Sequence, residues 1–569
     1  MKTPQTPTEK KPLPIGYSDF RKLRENGYYY VDKSLFITEI TNTPAEVLLI
    51  PRPRRFGKTL NLSMLRYFYE KSTQDRTSLF NGLAIRNDKV FEKHQGKYPV
   101  IFLTFKDIKG NKWDDMYEGL CGVISREIER HCEILRWDNI SVTARKLLES
   151  ALNSRASRRE YEDSLLVLST QLSRYHNSQA VILIDEYDTP IHAGYFHGYY
   201  EEVISFMRNF LSGGLKDNEH LFKGVITGIL RVAKESVFSG LNNLGVYTLL
   251  NMEFNTAFGF TEHEIKFLSD QYNLSECYDE ISHWYNGYLF GDRIIYNPWS
   301  VLNYAASRDR KPRPYWISTA STEFIDQLAT KRGRELREEL GQLLECGTLT
   351  KPIYDSIAMK DLEKRDDLLW SFLLFSGYLK ATEQTGHETW KLKIPNHEVQ
   401  IIYRSLIRNW FAEKTESNKV EEMLRALETG DVILFGRMLE TIVLQVMSYH
   451  DLGGSPEKVY HALVLGMLVW MSDKYEIRSN RESGYGRYDI MLKPNDLSKQ
   501  GIVIEFKKVY RGEKPEDVLK DALKQIEDRK YETELKAAGV KNILKIAVAF
   551  RGKKLWVKKT DINPKCSVL

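Results

Sequence analysis

A hydrophobic run followed by a basic loop and a helix constrains most strongly how this chain folds. Residues 47–50 are Val-Leu-Leu-Ile and stop at Pro51, which indicates a buried strand. Leu62, Leu65 and Phe68 then recur at helical spacing. The loop between strand and helix ends in Gly-Lys-Thr, so backbone N–H groups and the helix dipole would face an anion. The stretch therefore predicts a phosphate-binding loop.

The residues of this loop have expected roles. Lys58 would reach the β- and γ-phosphates of a nucleotide, and the Thr59 hydroxyl would bind Mg²⁺. The usual pattern G-x-x-x-x-G-K-[ST] has glycine where this chain has Arg52, so one flexible turn residue is missing. A basic loop before a surface helix is the alternative interpretation. The candidate nucleotide-binding residues of the loop are Arg54, Arg55, Phe56, Gly57, Lys58 and Thr59.

A second hydrophobic strand ends in two acids. Residues 181–184 are Val-Ile-Leu-Ile and are followed by Asp185 and Glu186. Asp185 would bind Mg²⁺, and Glu186 would polarise the attacking water as the catalytic base. An apolar strand capped by Asp-Glu is common on its own, but its position after the phosphate-binding loop favours an ATPase.

Strands alternate with helices over the first half of the chain, which predicts a mostly parallel sheet with helices on both faces. The expected strands include 98–105, 181–186, 223–231 and 246–251, and the expected helices include 113–136, 159–175 and 197–211. Because ligands bind at the carboxyl ends of such strands, Gly57, Asp185 and Thr227 are expected to meet. Thr227 and Arg231 would suit a sensor of the γ-phosphate. A strand-end turn with a surface arginine is the equally weighted alternative.

The middle of the chain has helical and turn-rich patterns. Thr261 and Glu264 form a capping-box pattern that predicts a helix start. A helix at 368–379 followed by a hairpin with its loop at 384–386 suggests a winged-helix-like unit. Further helices are expected at 335–344 and 420–449, and residues 451–456 resemble a domain boundary. The aromatic residues at 20–37 are interpreted as closing the core, the alternative being that they pack over a nucleotide base.

A second set of chemically suggestive residues lies near the C-terminus. Residues 501–507 read as a strand in which Glu505 and Lys507 are two apart and point to the same face. Asp489, at the start of a neighbouring strand, would join Glu505 in a hard oxygen site for Mg²⁺ or Mn²⁺. Lys507 would orient the attacking water or stabilise charge on a scissile phosphate. The alternative is a surface salt bridge on an edge strand.

Other residues in this region favour a metal-dependent nuclease. An upstream helix has Glu457, a further candidate catalytic residue, and a later amphipathic helix at 515–531 has Gln525. A closing strand at 543–550 would complete an α/β sandwich. Basic residues flank the site, as a phosphate backbone requires, although a solvated basic surface is the plain alternative. They are Lys507, Lys508, Arg511, Lys514, Arg551, Lys553, Lys554, Lys558 and Lys559.

Length and composition narrow the class of protein. With 569 residues the chain exceeds one domain, and 42% hydrophobic with 28% charged residues is typical of a soluble globular protein. A net charge of +5 argues only weakly for a polyanionic partner. Five scattered cysteines without a C-x-x-C pair indicate a reducing compartment and no structural zinc. A polar N-terminus and the lack of a long apolar run predict a cytoplasmic protein without a membrane segment.

With both sets of residues in view, the chain resembles a family of bacterial predicted AAA-ATPase-like proteins that have a PD-(D/E)xK nuclease-superfamily domain at the C-terminus. Arginine at the first glycine position of the loop is similar to that family's usual form. The resemblance covers nearly the whole length. It is carried by residues 52–59, 183–188, 238–243, 284–288, 460–461, 486–489 and 505–507.

The expected architecture is α/β, in three parts. A P-loop AAA-ATPase-like domain would span residues 1–257, a helical lid with a winged-helix-like region 258–450, and a restriction-endonuclease-like PD-(D/E)xK domain 451–569. The expected function is an ATP-binding, ATP-hydrolysing protein whose nucleotide state controls a metal-dependent nuclease, with ATP and Mg²⁺ as cofactors. DNA is the preferred partner over RNA, and a homo-oligomer is left open. The alternative is an ATP-driven switch or sensor whose C-terminal domain binds nucleic acid or protein without cleavage.

Overall fold

The chain divides into two compact units, one of residues 1–320 and 350–399 and the other of residues 321–349 and 400–569. Each unit is built around its own β-sheet. The computed structural model describes residues 10–231, 237–238, 241–316, 339–340, 343, 347–357, 359–363, 365, 367–412, 417–446, 456–471, 474–479, 482–483 and 486–560.

The first unit is organised around a five-stranded sheet. Its strands are β1 (Val47–Pro51), β2 (Val100–Thr104), β3 (Ala180–Asp185), β4 (Leu221–Gly228) and β5 (Leu244–Val246). They lie in the order β2-β3-β4-β1-β5, and each neighbouring pair is parallel. Every residue of β1 and β3 is buried, as their unbroken apolar runs predict for central parallel strands.

Helices flank this sheet and confirm the predicted α/β class. Strong local signals set several of their ends; for example, Ser157 and Glu160 form a capping box at the start of α7. The helices are α1 (Phe20–Glu25), α2 (Phe36–Asn42), α3 (Lys58–Tyr69), α4 (Lys89–His94), α5 (Trp113–Arg130), α6 (Val142–Leu152), α7 (Arg158–His176), α8 (Thr189–His197) and α9 (Tyr200–Leu215).

Two of the boundaries predicted for this region are wrong. The strand expected at 246–251 is only the short β5, because the chain turns after Val246 and the Asn251 side chain accepts a hydrogen bond from Thr248 N at 2.8 Å. The helix expected at 197–211 begins only at Tyr200, as α9, because Gly198 adopts a left-handed conformation with φ of 82° and ends α8 at His197.

Smaller elements complete the first unit. A three-stranded sheet has the order β6-β8-β7, and a second one has the order β10-β11-β9. The capping box of Thr261 and Glu264 begins α10, as predicted, and the hairpin turns at 385–388. The elements are β6 (Phe260–Thr261), α10 (Glu262–Tyr272), α11 (Tyr278–Tyr285), β7 (Tyr288–Phe290), β8 (Arg293–Tyr296), α12 (Pro298–Ala306), β9 (Leu349–Pro352), α13 (Leu368–Phe375), β10 (Lys380–Gln384) and β11 (Thr389–Lys393).

The second unit contains a mixed sheet in the order β12-β15-β16-β17-β18, in which β16 and β17 are parallel and the other pairs antiparallel. α14, which begins with residues 397–399 of the first unit, leads into it. The elements are α14 (His397–Ala412), α15 (Ser417–Thr429), α16 (Val432–Val446), α17 (Pro456–Leu468), β12 (Tyr475–Ser479), β13 (Glu482–Ser483), β14 (Gly486–Arg487), β15 (Ile490–Pro494), β16 (Gly501–Lys508), α18 (Pro515–Asp528), α19 (Thr533–Ala537), β17 (Ile543–Arg551) and β18 (Lys554–Lys559).

The two faces of this mixed sheet bury different cores. On β16, Ile502, Ile504 and Phe506 pack into a core with residues of α15, α16 and α17. Val503, between them, packs into the other core with residues of α18. Because side chains alternate along a strand, Glu505 and Lys507 lie on the same face as Val503, under α18. The alternation predicted for this strand is confirmed.

The predicted helix at 420–449 is wrong in one respect. Gly430 divides it into α15 and α16. The φ of Gly430 is 77°, a left-handed conformation that glycine adopts readily and that ends a helix. Residues 447–449 lie outside the described part of the chain, as do most of the helix expected at 335–344 and all but Pro456 of the boundary expected at 451–456.

Candidate functional site

The predicted phosphate-binding loop joins β1 to α3, in the strand–loop–helix order that the sequence predicts. Gly57 precedes α3 with φ of 88°, a left-handed conformation that favours glycine although a Cβ there would meet no atom within 4 Å. Arg55 has φ of 67°, an uncommon conformation for a residue with a side chain. Backbone strain of this kind clusters at ligand-binding sites. The loop is therefore a tightly turned segment at the mouth of a helix.

Lys58 is held by the loop from which it projects. Its ammonium donates to Arg52 O at 2.8 Å and Pro53 O at 2.9 Å, and the side chain is buried. Burial lowers the pKa of Lys58, and the nearby Glu186 carboxylate opposes that shift. The ammonium thus lies inside the loop, where the oxygen of a bound phosphate could replace these carbonyls as its hydrogen-bond acceptor.

The ends of three strands and the first turn of α3 converge on Asp185. Its Oδ2 accepts from Thr59 Oγ1 at 2.8 Å, and its Oδ1 accepts from Thr227 Oγ1 at 2.8 Å. Thr104, at the end of β2, has its hydroxyl 3.5 Å from the same carboxylate. Asp185 is completely buried. Hydroxyl and carboxylate oxygens in this arrangement fit a hard cation such as Mg²⁺, held by Thr59 and Asp185.

Glu186 follows Asp185 in a left-handed conformation with φ of 52°. This turn directs its carboxylate away from the sheet, where Thr189 Oγ1 lies 3.3 Å from Oε2. Burial raises the pKa of Glu186, and the Lys58 ammonium opposes the shift. A carboxylate made more basic by its surroundings suits a base that takes a proton from water.

A cavity of about 350 Å³ opens beside these residues. One part of its lining is aromatic or apolar and the other part is charged, so it fits a ligand with a flat apolar end and an anionic end. Tyr29 and Tyr30 line it, so part of the 20–37 segment faces the cavity rather than only the core. The lining includes Tyr17, Tyr29, Tyr30, Trp299, Leu302, Arg54, Arg55, Lys58, Thr59, Lys106, Lys109 and Glu186.

The remaining predicted residues of this site are placed differently. Phe56 also borders the cavity, but its buried ring packs on Tyr288 and Phe290, with centroids 4.8 and 5.2 Å away. The Arg55 guanidinium lies 4.3 Å above the Trp299 ring. Arg231 follows β4, and its guanidinium interacts with the carboxylate of Asp355. Its role as a sensor stays a prediction.

Sequence reasoning gave no role to Asp188. Its Oδ2 accepts from the backbone N–H groups of Ile229 at 2.7 Å and Leu230 at 3.0 Å. The side chain is almost fully buried. Asp188 therefore fixes the chain just after Thr227, and its sequence signals were its position three residues after Asp185 and its place in the stretch 183–188 that carries the resemblance.

A buried carboxylate lies behind the loop. Glu398, in the first turn of α14, accepts from the Ser300 hydroxyl at 2.9 Å and from Trp316 N at 2.6 Å. The Trp316 indole in turn donates through Nε1 to Arg54 O at 3.3 Å, and its ring centroid is 5.1 Å from that of Tyr378. One tryptophan therefore joins the phosphate-binding loop to the start of α14.

We expect Glu398→Gln to reduce the loss of stability at alkaline pH. Burial raises the pKa of Glu398 from its ordinary 4.5 to about 7, so the folded protein holds a proton that the unfolded chain releases. Stability from this residue therefore falls as pH rises from 4.5 to 7, whereas glutamine stays neutral and still pairs with Ser300 and Trp316. At pH 8 the variant is expected to gain on the order of 1–3 kcal/mol.

Thermal unfolding of wild type and variant at pH 5 and pH 8 measures this difference. Glu388→Gln, at an exposed acid, is the control. An unfolding temperature of Glu398→Gln that follows wild type at both pH values contradicts the prediction.

The second site lies on the mixed sheet of the other unit. Asp489 directly precedes β15, and its Oδ2 accepts from the backbone N–H of Phe506 in β16 at 2.7 Å. The register Ile490↔Ile504 sets these two strand ends side by side. The Asp489 carboxylate therefore lies next to Glu505, as the sequence predicts.

Glu505 is almost completely buried, with 2% of its surface exposed. Its Oε1 accepts from Lys507 Nζ at 3.0 Å and from Gln525 Nε2 at 2.6 Å. Its Oε2 is buried and has no hydrogen-bond partner among the described residues. Burial, followed by the Asp489 carboxylate, raises the pKa of Glu505 to about 7. A buried carboxylate oxygen without a donor fits a cation-binding position.

Sequence reasoning gave no role to two residues around this pair. Tyr531 Oη accepts from Gln525 Nε2 at 3.0 Å, which orients the amide that binds Glu505. His461, on α17, donates through Nε2 to Asp489 O at 3.0 Å and lies equally close to Ser479 Oγ. His461 therefore fixes the backbone of the turn that presents Asp489. These contacts depend on how side chains pack, so no local pattern indicated a role for either residue, although residues 460–461 are part of the set that carries the resemblance.

The donor set at this site is small. Within the described ranges, no group of three or more His, Cys, Asp or Glu side chains is gathered as a metal site. Asp489 and Glu505 therefore offer two carboxylates for a cation. Glu457 lies in α17, but its side chain is outside the described part, and its catalytic role stays a prediction.

The basic residues near this site differ in exposure. The exposed ones are Arg511, Lys514, Arg551, Lys554, Lys558 and Lys559, and the half-buried ones are Lys507, Lys508 and Lys553. Arg551 also donates to Tyr510 O and Glu513 O, at 3.2 and 2.7 Å, and ties the loop after β16 to β17. The exposed set can contact an anionic polymer, and Arg551 also stabilises a loop.

Comparison with known proteins matches both regions. Residues 14–238 match the family described as "Predicted AAA-ATPase", and residues 455–560 match the PD-(D/E)XK nuclease superfamily. An uncharacterized protein in the vnfD 5'region of Azotobacter chroococcum mcd 1 is 28% identical over 398 residues, 69% of this chain and 69% of that protein.

Across the part of the chain that the structure describes, no helix combines the length and apolar character needed to cross a membrane. The first match covers β1 to β4 of the five-stranded sheet and the second covers the whole mixed sheet, and together they confirm the resemblance drawn from the motifs. The chain thus has one region that matches a predicted AAA-ATPase family and, at its C-terminal end, one that matches the PD-(D/E)XK nuclease superfamily.

Proposed function

We propose that this chain binds and hydrolyses ATP at the loop before α3, and that its nucleotide state controls metal-dependent cleavage of nucleic acid by the C-terminal domain. DNA is the proposed substrate ahead of RNA. The observation that carries the proposal is the grouping of Asp489, Glu505 and Lys507, in which one buried oxygen of Glu505 lacks a donor. A module that only binds nucleic acid has no need of two carboxylates and a lysine on one face.

The proposed ATP site uses the residues around Asp185. The N–H groups at the start of α3 and the Lys58 ammonium bind phosphate oxygens, and Thr59 with Asp185 hold the Mg²⁺. Glu186 takes the proton of the attacking water, helped by the burial that raises its pKa. Arg54 and Arg55 border the same cavity and offer further positive charge to the phosphates.

The proposed cleavage site uses Asp489 and Glu505 as ligands of Mg²⁺ or Mn²⁺. When bound, such a cation supplies charge stabilisation at the phosphoryl group and a water of lowered pKa. The Lys507 side chain is 34% exposed, so its ammonium can donate both to Glu505 and to a phosphate oxygen. Gln525 keeps Glu505 in place while that second bond forms.

The proposed coupling is supported by Trp316. A nucleotide that draws Lys58 from Arg52 O and Pro53 O changes the loop whose Arg54 O accepts from the Trp316 indole. Trp316 N is bonded to Glu398 in the first turn of α14, the helix that leads into the second unit. A change at the loop can therefore bias the start of that helix.

We expect Trp316→Phe to uncouple cleavage from ATP. Phenylalanine keeps the backbone N–H bonded to Glu398 and a ring beside Tyr378, but it cannot donate to Arg54 O. Nucleotide affinity is expected to stay close to wild type. The effect of ATP is measured as the ratio of the cleavage rate with ATP to the rate without it. We expect this ratio to be closer to one in Trp316→Phe than in wild type, by about fivefold or more.

Cleavage rates with and without ATP, measured alongside nucleotide affinity, check this prediction. Trp284→Phe, whose parent indole packs 4.6 Å from the His397 ring, is the matched control. A wild-type response to ATP in Trp316→Phe rules out this route of coupling.

The proposed function is tested with the pure protein and Mg²⁺ or Mn²⁺, with and without ATP, on linear, circular and single-stranded DNA and on RNA. Metal-dependent cleavage that changes with ATP supports it. ATP hydrolysis without cleavage of any of these substrates favours the alternative of a nucleotide-driven switch.

A further inference from the structure

Arg52 occupies the position at which the phosphate-loop pattern has its first glycine, and its side chain is completely buried. The guanidinium donates through NH1 to Pro51 O at 2.9 Å and Tyr247 O at 2.8 Å, and through NH2 to Phe254 O at 3.4 Å. These carbonyls belong to the end of β1 and to the segment after β5. Arg52 therefore ties the point at which the loop leaves the sheet to a neighbouring turn.

Aromatic rings enclose the same guanidinium. Its Cζ lies 5.3 Å from the centroid of Phe258 and 5.2 Å from that of Phe290. Rings at this distance attract a cation through their quadrupoles, an attraction that is stronger where water is excluded. Burial lowers the pKa of Arg52 to about 9, and the Glu39 carboxylate opposes the shift. The residue is still charged at neutral pH, so the carbonyl bonds and the rings together hold a buried cation.

The backbone of Arg52 lies at the centre of the nucleotide site. Its N–H donates to Gly228 O at 3.0 Å, next to Thr227 on β4, and its carbonyl accepts from Lys58 Nζ at 2.8 Å. The Arg52 side chain thus fixes the position of its own backbone. That backbone is bonded to β4, the strand next to Asp185, and to the Lys58 ammonium that would bind phosphate. Glycine would keep these backbone groups but has no side chain to hold them in place.

We propose that Arg52 is a positioning residue for nucleotide: its buried guanidinium holds the loop in its phosphate-binding shape, a task that the standard pattern leaves to a glycine turn. The inference rests on the proposed nucleotide site. A loop ordered before binding loses less conformational entropy when the phosphates arrive. Restoring the standard pattern with Arg52→Gly is therefore expected to weaken nucleotide binding instead of improving it.

The test is titration of the full-length protein with a fluorescent ATP analogue and Mg²⁺, well below the unfolding temperature of each variant. Arg52→Gly is expected to raise the nucleotide Kd by about tenfold or more. Arg52→Lys keeps a donor and is expected to recover part of that loss. Arg52→Met fills the space between the rings without donating, so it tests the same loss of hydrogen bonds with less risk to the fold, and it should weaken binding as well.

Two further measurements separate positioning from general stability. Hydrogen exchange at the amides of residues 54–59 is expected to speed up in Arg52→Met. The control is Lys223→Met, which removes a different buried cation, on β4. The Lys223 Nζ donates to Thr43 O at 2.5 Å and Ala45 O at 2.7 Å. This control is expected to lower the unfolding temperature and leave the nucleotide Kd unchanged.

The inference is overturned if Arg52→Gly or Arg52→Met binds the analogue as tightly as wild type. It is also overturned if Lys223→Met loses affinity in proportion to its loss of stability, because Arg52 would then act only as part of the core. If the wild-type protein binds no nucleotide, the proposed ATP site itself is wrong, and the inference about Arg52 falls with it.

Discussion

Lys507→Ala is expected to reduce metal-dependent cleavage of nucleic acid by about 10²–10³-fold, the usual cost of removing one donor that stabilises developing charge. The Lys507 ammonium is the cation that the structure places beside Glu505, at 3.0 Å from Oε1. The fold should survive, because Gln525 still donates to the same oxygen and the lysine is partly exposed.

Cleavage rates of wild type and variant at saturating Mg²⁺ or Mn²⁺ measure this effect, with circular dichroism to check the fold. Lys508→Ala is the matched control, since side chains alternate along β16 and Lys508 points to the opposite face, with its Nζ 5.1 Å from the Tyr510 ring. Lys508→Ala is expected to change the rate by only a few-fold, as loss of a remote phosphate contact would. Full activity in Lys507→Ala defeats the assignment of the cleavage site.

The parts of the fold that sequence predicted are those set by local pattern. Unbroken apolar runs identify β1 and β3, and the parallel order then brings their carboxyl ends to one edge, where Asp185 meets Thr59 and Thr227. In the same way, the two-residue period of a strand placed Glu505 and Lys507 on one face. These inferences need only the geometry of strands and the rule that ligands bind at strand ends.

Contacts between distant segments were out of reach. Trp316 and Arg54 are 262 residues apart, and Ser300 and Glu398 are 98 apart, so their bonds depend on how whole elements pack. The Arg52 side chain is a similar case. The sequence shows only a missing glycine, whereas the structure shows a cation held by three carbonyls and two rings. No propensity or spacing encodes such a set of partners.

A break between two helices was missed for a different reason. Gly430 divides a predicted helix whose apolar periodicity continues on both sides, so the period alone did not reveal the break. A glycine inside a helical pattern is tolerated in some helices and ends others, depending on whether a left-handed turn lets the next helix pack. At Gly430 the turn lets both α15 and α16 contribute to the core of the C-terminal sheet.

Lys58→Ala is expected to weaken nucleotide binding by at least about 100-fold. In the structure its ammonium is buried between Arg52 O and Pro53 O, so it is already at the centre of the loop and needs only to exchange carbonyl partners for phosphate oxygens. Alanine removes this positive charge from a buried site. Losing a charge-assisted hydrogen bond to phosphate is costly in such a site, because little water is present to solvate the phosphate instead.

The consequence can be measured in two ways. Titration with a fluorescent ATP analogue gives the Kd directly, and Mg²⁺ with ATP at 100 times the wild-type Kd should stabilise the wild type by about 2.7 kcal/mol and Lys58→Ala hardly at all. Lys71→Ala, at an exposed lysine just after α3, is the control and should keep the full ligand-induced rise in unfolding temperature. A Lys58→Ala protein that keeps both the affinity and the rise shows that the loop before α3 is not where the nucleotide binds.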